Sequence, residues 1–343
     1  MTGIYRKIIS FLSEGSVCSA TVLEGEGAGS KLVWRNDCLL LADSGMEEVW
    51  KQQAEQFNAL TMPGQFELAG RTWYVERLVQ EPELVICGGG HISQELALLA
   101  DYLEYPYVIL DDREEFCSRE RFPRAAECIC GPFAEGLKKH ACSGNAYYII
   151  VTRGHRADME CLELILQLPH GYVGMIGSRG KVAKTMSALE AKGFSKEELG
   201  AVHAPIGLQI GGQTPKEIAI SIAAQLIQEK NRENPSSYLD QPMMRTIRQE
   251  SGILVTITGK RGSAPRGTGS RMLVGKNGIL GGTIGGGVVE YEAEKKARAL
   301  IEALPEGHVV TETYRVNNDS AAALGMWCGG EVDVMFERLR AED

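Results

Sequence analysis

Four short apolar runs within residues 83–177 constrain the fold of this chain most strongly. Uninterrupted apolar runs of this length are typical of strands that are buried on both faces of a parallel sheet. Between the last two runs, Met159, Leu162 and Ile165 follow the spacing of one helical face. The alternation predicts an α/β fold built on a Rossmann-like, doubly wound parallel sheet. The four runs are ELVIC (83–87), YVILDD (107–112), AYYIIVT (146–152) and YVGMIG (172–177).

The sequence TPKE near residue 214 marks the start of a further helix. Thr214 suits the N-cap, Pro215 suits the first helical position, and Glu217 stands where a capping box needs a carboxylate. The apolar stretch IAISIAAQLIQ follows directly. We therefore expect a buried helix here that begins with a hydrogen-bonded pair of Thr214 and Glu217.

The sequence before and after the predicted parallel sheet has less distinct secondary-structure patterns. Residues 1–80 contain three strand-like stretches and one helix-like stretch. The polar stretch at 231–242, rich in Pro, Asn and Ser, is typical of a linker. We predict an N-terminal small α/β region (1–80), a Rossmann-like domain (81–230), a linker (231–242) and a smaller glycine-rich α/β domain (243–343). In the last domain we expect a mixed sheet, with a hairpin turn at Asn277-Gly278.

Charge and composition exclude several classes of protein. The net charge of -9 argues against a general nucleic-acid binder, whose affinity depends on Lys and Arg contacts to phosphates. No apolar run reaches the roughly 18 residues of a transmembrane helix. The N-terminus shows no clear signal-peptide cleavage pattern, so we expect a cytoplasmic protein. None of the nine cysteines forms a CxxC pair, so a zinc site is not predicted.

A first candidate site follows the first strand, where the sequence is GGGHISQE (88–95). Gly88 and Gly90 give the G-x-G of a dinucleotide fingerprint, although Ser93 replaces its last glycine. Asp111 ends the next strand, where a carboxylate can hold a ribose hydroxyl. The alternative is a tight turn that binds nothing.

Further loops meet this glycine loop if the sheet is doubly wound, because ligands bind at the carboxyl edge of such sheets. The loops are TRGHRAD (152–158), GSRGK (177–181) and HAPIGL (203–208). They add histidines and an arginine to the backbone donors of the helix starts. We predict a nucleotide site, for NAD(P) or another nucleotide, that comprises Gly88, Gly90, His91, Asp111, His155, Gly177, Ser178, Arg179 and His203.

A second candidate site lies in the C-terminal domain and has three glycine-rich segments. RGSAPRGTGSRM (261–272) offers Arg261, Arg266 and Arg271 to an oxyanion. GGTIGGGVVE (281–290) places glycines at a helix start, which is a second geometry for binding anions. GMWCGG (325–330) adds the thiol of Cys328. Arginines near that thiol would favour the thiolate, which can attack carbon, carry sulfur or ligate a soft metal.

Together these segments resemble the XdhC/CoxI family of xanthine dehydrogenase accessory factors. The resemblance covers most of residues 71–338 and also includes YVGMIGSRGK, RFP (121–123) and HAPIGLQIGGQTPKEIAISI. It implies a chaperone without turnover of its own. Such a chaperone binds the molybdenum cofactor, which is a molybdopterin. The resemblance does not distinguish the mononucleotide form of the cofactor from the dinucleotide form. It supports sulfuration by a cysteine desulfurase and delivers the cofactor to the apoenzyme of a xanthine dehydrogenase-type molybdenum hydroxylase.

The resemblance also implies which residues form the family's site. It assigns to that site Arg266, Gly285, Gly286, Gly287, Glu290 and Cys328, with Cys328 as a contact to molybdenum. From the same arginine loop we add Arg261, Ser263 and Arg271. We further expect a homodimer and no contact with nucleic acid or membrane.

The order of the two halves departs from the family pattern. In typical members the arginine and glycine segments precede the Rossmann-like half, whereas here they follow it, so the halves are permuted. Whether they meet within one chain or across a dimer stays open. Two alternative functions also stay open: an NAD(P)-dependent oxidoreductase with His155 or His203 as its acid or base, and a nucleotide-regulated binding module.

Overall fold

The computed structural model describes residues 3–60, 62–140, 145–232, 237–239, 241–262, 266–316 and 330–339. The chain divides into two compact units. The Rossmann unit comprises Glu81–Glu233, and the split unit comprises Met1–Gln80 together with Asn234–Asp343. The structure thus joins in one unit the two ends of the chain that the sequence pattern treats separately.

The N-terminal part of the split unit is a sheet with two helices. Three stretches that the sequence marks as strands (17–23, 31–35 and 71–78) are strands here, and the stretch at 47–57 is a helix. The elements are α1 (Ile4–Leu12), β1 (Val17–Glu24), β2 (Lys31–Arg35), β3 (Cys38–Ala42), α2 (Met46–Ala59), β4 (Gly64–Leu68) and β5 (Arg71–Gln80).

The Rossmann unit has a sheet of five described strands, all parallel, in the order β10-β9-β6-β7-β8. Each of the four apolar runs forms one of these strands, which confirms the predicted sheet. The elements are β6 (Leu84–Cys87), α3 (His91–Tyr102), β7 (Tyr107–Asp111), a 3-10 turn (Glu114–Phe116), β8 (Glu127–Cys130), α4 (Phe133–Lys139), β9 (Tyr147–Ile150), α5 (His155–Ile165), β10 (Tyr172–Met175), α6 (Arg179–Ala191), α7 (Lys196–Gly200) and α8 (Pro215–Arg232).

Helices cover both faces of this parallel sheet. The apolar sides of α3 and α8 pack on one face, and those of α4, α5 and α6 pack on the other. The predicted capping box is present at the start of α8, because the Thr214 N–H donates to Glu217 at 2.9 Å and the Glu217 N–H donates to Thr214 Oγ1 at 3.3 Å. Strands β6 and β9 are neighbours although they are not consecutive. The strand order therefore reverses between them, which is where such sheets bind ligands.

The C-terminal part of the split unit carries a second sheet of five described strands, in the order β14-β13-β12-β16-β15. We expected a mixed sheet here, but every pairing among these five strands is antiparallel. The turn at Asn277-Gly278 joins β13 to β14 as predicted. The elements are β11 (Ser237–Leu239), α9 (Gln241–Gln249), β12 (Ile253–Gly262), β13 (Arg271–Gly275), β14 (Gly278–Gly282), α10 (Gly287–Ala303), β15 (Val309–Val316) and β16 (Gly330–Arg338).

The stretch at 231–242 also contains structure. Strand β11 pairs in parallel with β5 of the N-terminal sheet, so the mixed sheet of the split unit is this one. Leu239 is fully buried in an apolar cluster shared with α1 and α9. Among the described residues, no helix is long and apolar enough to cross a membrane.

Candidate functional sites

The glycine loop after β6 has one closed side and one open side. A side chain at Gly89 would collide with the backbone oxygen of Phe116, so Gly89 allows the chain to pack on itself. Gly88 has φ +110°, and a side chain there would meet the backbone of Val151. Gly90, the N-cap of α3, has no atom within 4 Å of a Cβ position and makes no side-chain cap bond. Of the predicted pair, Gly88 therefore serves packing and Gly90 faces open space.

The carboxylate of Asp111 is committed to this loop. It lies 1% exposed, and its Oδ2 accepts the Gly89 N–H at 2.7 Å. Arg113 donates three further hydrogen bonds, from its backbone N, Nε and Nη2, at 2.9–3.0 Å. Burial raises the pKa of Asp111, but the bonds from Arg113 and Gly89 outweigh burial and hold the pKa below its usual value. Since a carboxylate has about four acceptor positions, none is left for a ribose hydroxyl.

The start of α5 faces the same edge of the sheet. Gly154, its N-cap, has no atom within 4 Å of a Cβ position, and His155 is exposed in the first turn. Asp158 in that turn is fully buried and accepts hydrogen bonds from Thr152 Oγ1 at 2.5 Å and Lys181 Nζ at 2.6 Å. Asp158 lies in the loop TRGHRAD (152–158) and Lys181 in the loop GSRGK (177–181). The sequence analysis did not predict a role for either residue. A buried carboxylate that fixes a lysine at the sheet edge is visible only in three dimensions.

The remaining predicted residues of this site lie at helix starts, except His203. Gly177 follows β10, Ser178 is the N-cap of α6, and Arg179 is its exposed first residue. These three lie at the helix start that follows β10, and His91 lies at the helix start that follows β6.

His203 does not join them. Its backbone pairs alongside β10, and its ring stacks on Tyr172 with a centroid separation of 4.7 Å. Its Nδ1 lies 3.4 Å from Gln225 Nε2 in α8. The ring of His203 is therefore held between Tyr172 and α8, and His203 does not lie at a helix start as the other predicted residues do.

The glycine loop of the split unit joins β14 to α10. Gly285, Gly286 and Gly287 have φ values of +120°, +72° and +68°. Side chains rarely adopt this left-handed conformation, so the turn itself requires glycine. No atom lies within 4 Å of a Cβ position at Gly286, so the backbone there is also open to approach. This loop therefore needs glycine for its left-handed backbone, and the absence of a side chain at Gly286 also leaves the backbone open.

Glu290 fills the inner side of this loop. Its Oε2 accepts hydrogen bonds from Thr283 Oγ1 at 2.5 Å, the Ile284 N–H at 2.9 Å and the Gly286 N–H at 3.1 Å. Burial raises the pKa of Glu290, but these bonds outweigh it and keep the pKa below its usual value. Donors that sequence reasoning assigned to an external anion are thus occupied by the chain's own carboxylate.

The three arginines of the 261–272 segment have different environments. Arg261 donates to Glu331 at 2.8 Å and to Asp333 at 2.9 Å. Arg271 is buried in an ion pair with Glu76 of the N-terminal sheet. Arg266 is exposed and makes no ion pair with the residues that the structure describes. Of the three, Arg266 has its guanidinium available for a ligand.

Two predicted residues, Ser263 and Cys328, lie outside the described residues. The thiol site and its contact to molybdenum therefore stay predictions. Within the described ranges, no group of three or more His, Cys, Asp or Glu side chains is placed to hold a metal ion.

Family models match both halves of the chain. The XdhC Rossmann domain matches residues 84–226, and the XdhC and CoxI family matches residues 247–314. The chain belongs to the XdhC/CoxI family. The XdhC Rossmann match contains every predicted nucleotide-site residue, and the XdhC and CoxI match contains the glycine loop and all three arginines. Cys328 lies beyond the second match.

Similar proteins support this membership of the XdhC/CoxI family. The uncharacterized protein YqeB of Escherichia coli (strain K12) is 28% identical over 264 residues, which are 75% of this chain and 46% of YqeB. A probable xanthine dehydrogenase subunit from Bacillus subtilis (strain 168) is 24% identical over 159 residues, 46% of each chain. This chain thus matches less than half the length of either relative.

A solved structure shares the fold. The crystal structure of a protein described as a xanthine dehydrogenase from Bacillus halodurans aligns with a TM-score of 0.52 and 24% identity. The alignment covers 67% of this chain and 64% of that one.

Proposed function

We propose that this chain is an accessory factor that holds the molybdenum cofactor for a xanthine dehydrogenase-type molybdenum hydroxylase. The glycine loop inside the XdhC and CoxI match carries the proposal, because it is open at Gly286 and kept in one conformation by Glu290. An open, fixed backbone lets a large ligand approach closely without first ordering the loop.

The residues present suit such a cofactor. Arg266 is exposed and offers planar donors to an anionic group. Gly286 would admit a bulky ring, and Cys328 would supply a soft ligand for the metal. Arg266, Gly286 and Cys328 would hold the cofactor, which would supply a molybdenum centre and would stay accessible for sulfuration by a cysteine desulfurase. The chain itself binds, orients and releases the group.

The partners follow from the same proposal. They are the hydroxylase apoenzyme, the cysteine desulfurase and a second copy of this chain in a homodimer. We place this exchange in the cytoplasm, and we expect the isolated chain to show no turnover.

Equilibrium binding of molybdopterin to the purified full chain tests the proposal. We expect tight binding by the wild type and weaker binding by Arg266→Ala. Arg261→Ala should have the smaller effect, because the Arg261 guanidinium is already engaged by Glu331 and Asp333. A wild-type chain that neither binds molybdopterin nor activates a hydroxylase apoenzyme would refute the proposal.

A nucleotide-regulated module is the second candidate, and the open N-caps Gly90 and Gly154 favour it. Both lie where the strand order reverses, and helix starts attract anions. An oxidoreductase gains less support, because the Asp111 carboxylate is saturated and the His203 ring is stacked on Tyr172. Calorimetry with ADP and NAD(H) distinguishes the nucleotide-regulated module from the oxidoreductase. Binding of either nucleotide that changes affinity for a partner supports the module.

A further inference from the structure

The outer sides of α3 and α8 in the Rossmann unit expose large hydrophobic side chains. A helix that packs on a sheet normally presents polar residues to solvent on its opposite side. On α3, Leu98 is 63% and Tyr102 is 85% exposed, and on α8, Ile220 is 51% and Ile227 is 37% exposed. Hydrophobic residues scattered singly over a surface are ordinary, whereas a contiguous group of them marks an interaction surface.

These side chains belong to one surface, because α3 and α8 lie side by side on the same face of the parallel sheet. The two helices also end together, since the Lys230 ammonium near the end of α8 lies 5.0 Å from the ring centroid of Tyr105, just beyond the end of α3. Ala224 lies between the two isoleucines of α8 and is half-buried. We call this surface the outer helical face, and it comprises Leu98, Tyr102, Ile220, Ala224 and Ile227.

The spacing along α8 is nearly symmetric about Ala224. Ile220 lies four residues before Ala224 and Ile227 lies three residues after it, so the three share one stripe of the helix. When a second α8 runs antiparallel across this stripe, Ala224 meets Ala224, and each Ile220 meets the Ile227 of the other copy. The small side chain at the centre lets the two helices approach closely, because the distance between packed helices depends on the side chains at their contact.

The stripe on α3 and the polar ends of both stripes suit the same antiparallel arrangement. On α3, Leu98 meets its own copy, and Glu95 lies opposite Tyr102, whose hydroxyl can donate to a carboxylate. On α8, the exposed Lys216 lies opposite the exposed Asn231. A parallel arrangement would instead place Glu95 against Glu95 and Lys216 against Lys216, and like charges repel. The charges therefore favour an antiparallel copy of the same face.

We propose that the outer helical face binds a second copy of this chain, so that α3 and α8 of both copies pack around a two-fold axis between the two Ala224 residues. A two-fold axis requires a surface that is complementary to itself, and an apolar centre with a polar rim is typical of interfaces between identical subunits. This inference rests on the homodimer included in the proposed function and identifies its interface.

Sedimentation velocity of the full chain without cofactor, over a series of concentrations, tests the inference. We expect the wild type to form a dimer. Tyr102→Glu and Ile220→Glu should each raise the dimer dissociation constant by about 100-fold or more, because the symmetry places each new charge in the interface twice. Both side chains are exposed, so neither substitution disturbs the core of the unit. Circular dichroism of the variants verifies that they are folded.

Tyr291→Glu is the matched control, because Tyr291 on α10 is also a highly exposed tyrosine but lies outside the outer helical face. We expect this variant to remain dimeric. Weakening by either face variant with an unchanged Tyr291→Glu supports the inference. An unchanged dimer in both face variants, or dissociation caused by Tyr291→Glu, would overturn it. A wild type that stays monomeric would leave the face to a different protein and would overturn it as well.

Disulfide trapping with oxidised glutathione tests the antiparallel register. Ala224→Cys places a thiol opposite its own copy, and a disulfide needs the two Cα atoms within about 7 Å of each other. Gln228→Cys lies about one turn further along α8, so its copy is displaced by about 12 Å along the helix and should not react. We expect a covalent dimer above the wild-type level from Ala224→Cys alone. Equal trapping of the two variants, or no trapping of Ala224→Cys, would contradict the proposed axis.

The dimer measurements need no cofactor, so they separate this inference from the proposed function. If the wild type binds molybdopterin but stays monomeric, the interface is wrong and the accessory function stands. If the wild type forms the dimer through this face but neither binds molybdopterin nor activates a hydroxylase apoenzyme, the interface stands and the proposed function fails.

Discussion

The Lys31 ammonium lies 3.0 Å from the Glu337 carboxylate, although 306 residues separate them in the chain. Both side chains are 3% exposed, and Tyr5 donates a further hydrogen bond to Glu337 at 2.6 Å. Arg271 and Glu76 form a second buried pair between the same two parts of the split unit. These contacts explain why the N-terminal region belongs with the C-terminal sheet.

Removing one partner of the first pair should weaken the split unit strongly. In Lys31→Met the Glu337 carboxylate stays buried without its cation, which typically costs about 3–5 kcal/mol. Urea unfolding should show that loss in the free energy of unfolding. Lys51→Met removes an exposed ion pair with Glu48 and should change stability by less than about 1 kcal/mol. Equal stability of the two variants would show that the buried pair does not hold the parts together.

Asp111 should make the stability of the Rossmann unit depend on acid. Its pKa is lowered in the folded state, so its contribution is present above the unfolded pKa of about 4 and is lost as the pH falls through the folded pKa. Asp111→Asn lacks this contribution at every pH. The difference in unfolding free energy between wild type and variant should therefore be largest near pH 7 and shrink below about pH 4. A difference that stays constant down to about pH 2.5 would contradict the role of the charge.

Sequence patterns predicted the parallel sheet well because four of its five described strands are continuous apolar runs. The helix start at Thr214 was equally clear, since its hydrogen bonds involve residues three positions apart. Strand β8 was missed, because ECIC is short and half exposed at the sheet edge. Strand β11 was hidden in a polar stretch and depends on pairing with β5, far away in sequence.

The candidate sites were harder to predict than the fold. Residue type placed Asp111 and Arg271 at ligand sites, and the family resemblance placed Glu290 at one, but each is engaged by other residues of the chain. Glu76, the partner of Arg271, is 195 residues away and carries no local pattern. Arg113 and Thr283 are close in sequence to Asp111 and Glu290, but only the folded loops bring them into contact. Sequence identifies a group that can bind a ligand, whereas only the fold shows whether it is already satisfied.

Gly286 should be sensitive to substitution although space is open around it. Its φ of +72° is unfavourable for any residue with a Cβ, so Gly286→Ala should lower the unfolding free energy by about 1–2 kcal/mol. Valine, being β-branched, should cost more. Gly180 in α6 also has open space around it but no positive φ, so Gly180→Ala should stabilise the chain by about 0.5–1 kcal/mol. Thermal unfolding of Gly286→Ala and Gly180→Ala measures whether each substitution lowers or raises stability. A stabilising Gly286→Ala would contradict the need for a residue that tolerates the left-handed conformation at this position.

Lys181 should matter for both stability and ligand binding in the Rossmann unit. Lys181→Met leaves the fully buried Asp158 without its cation, which should cost about 3 kcal/mol of unfolding free energy. Adding Asp158→Asn removes the uncompensated charge and should recover much of that stability. If the fixed ammonium contacts a nucleotide phosphate, the double variant should still bind ADP at least tenfold more weakly than the wild type. Calorimetric titration of the folded variants with ADP tests this role of Lys181. A double variant with restored stability and unchanged ADP affinity would limit Lys181 to a structural role.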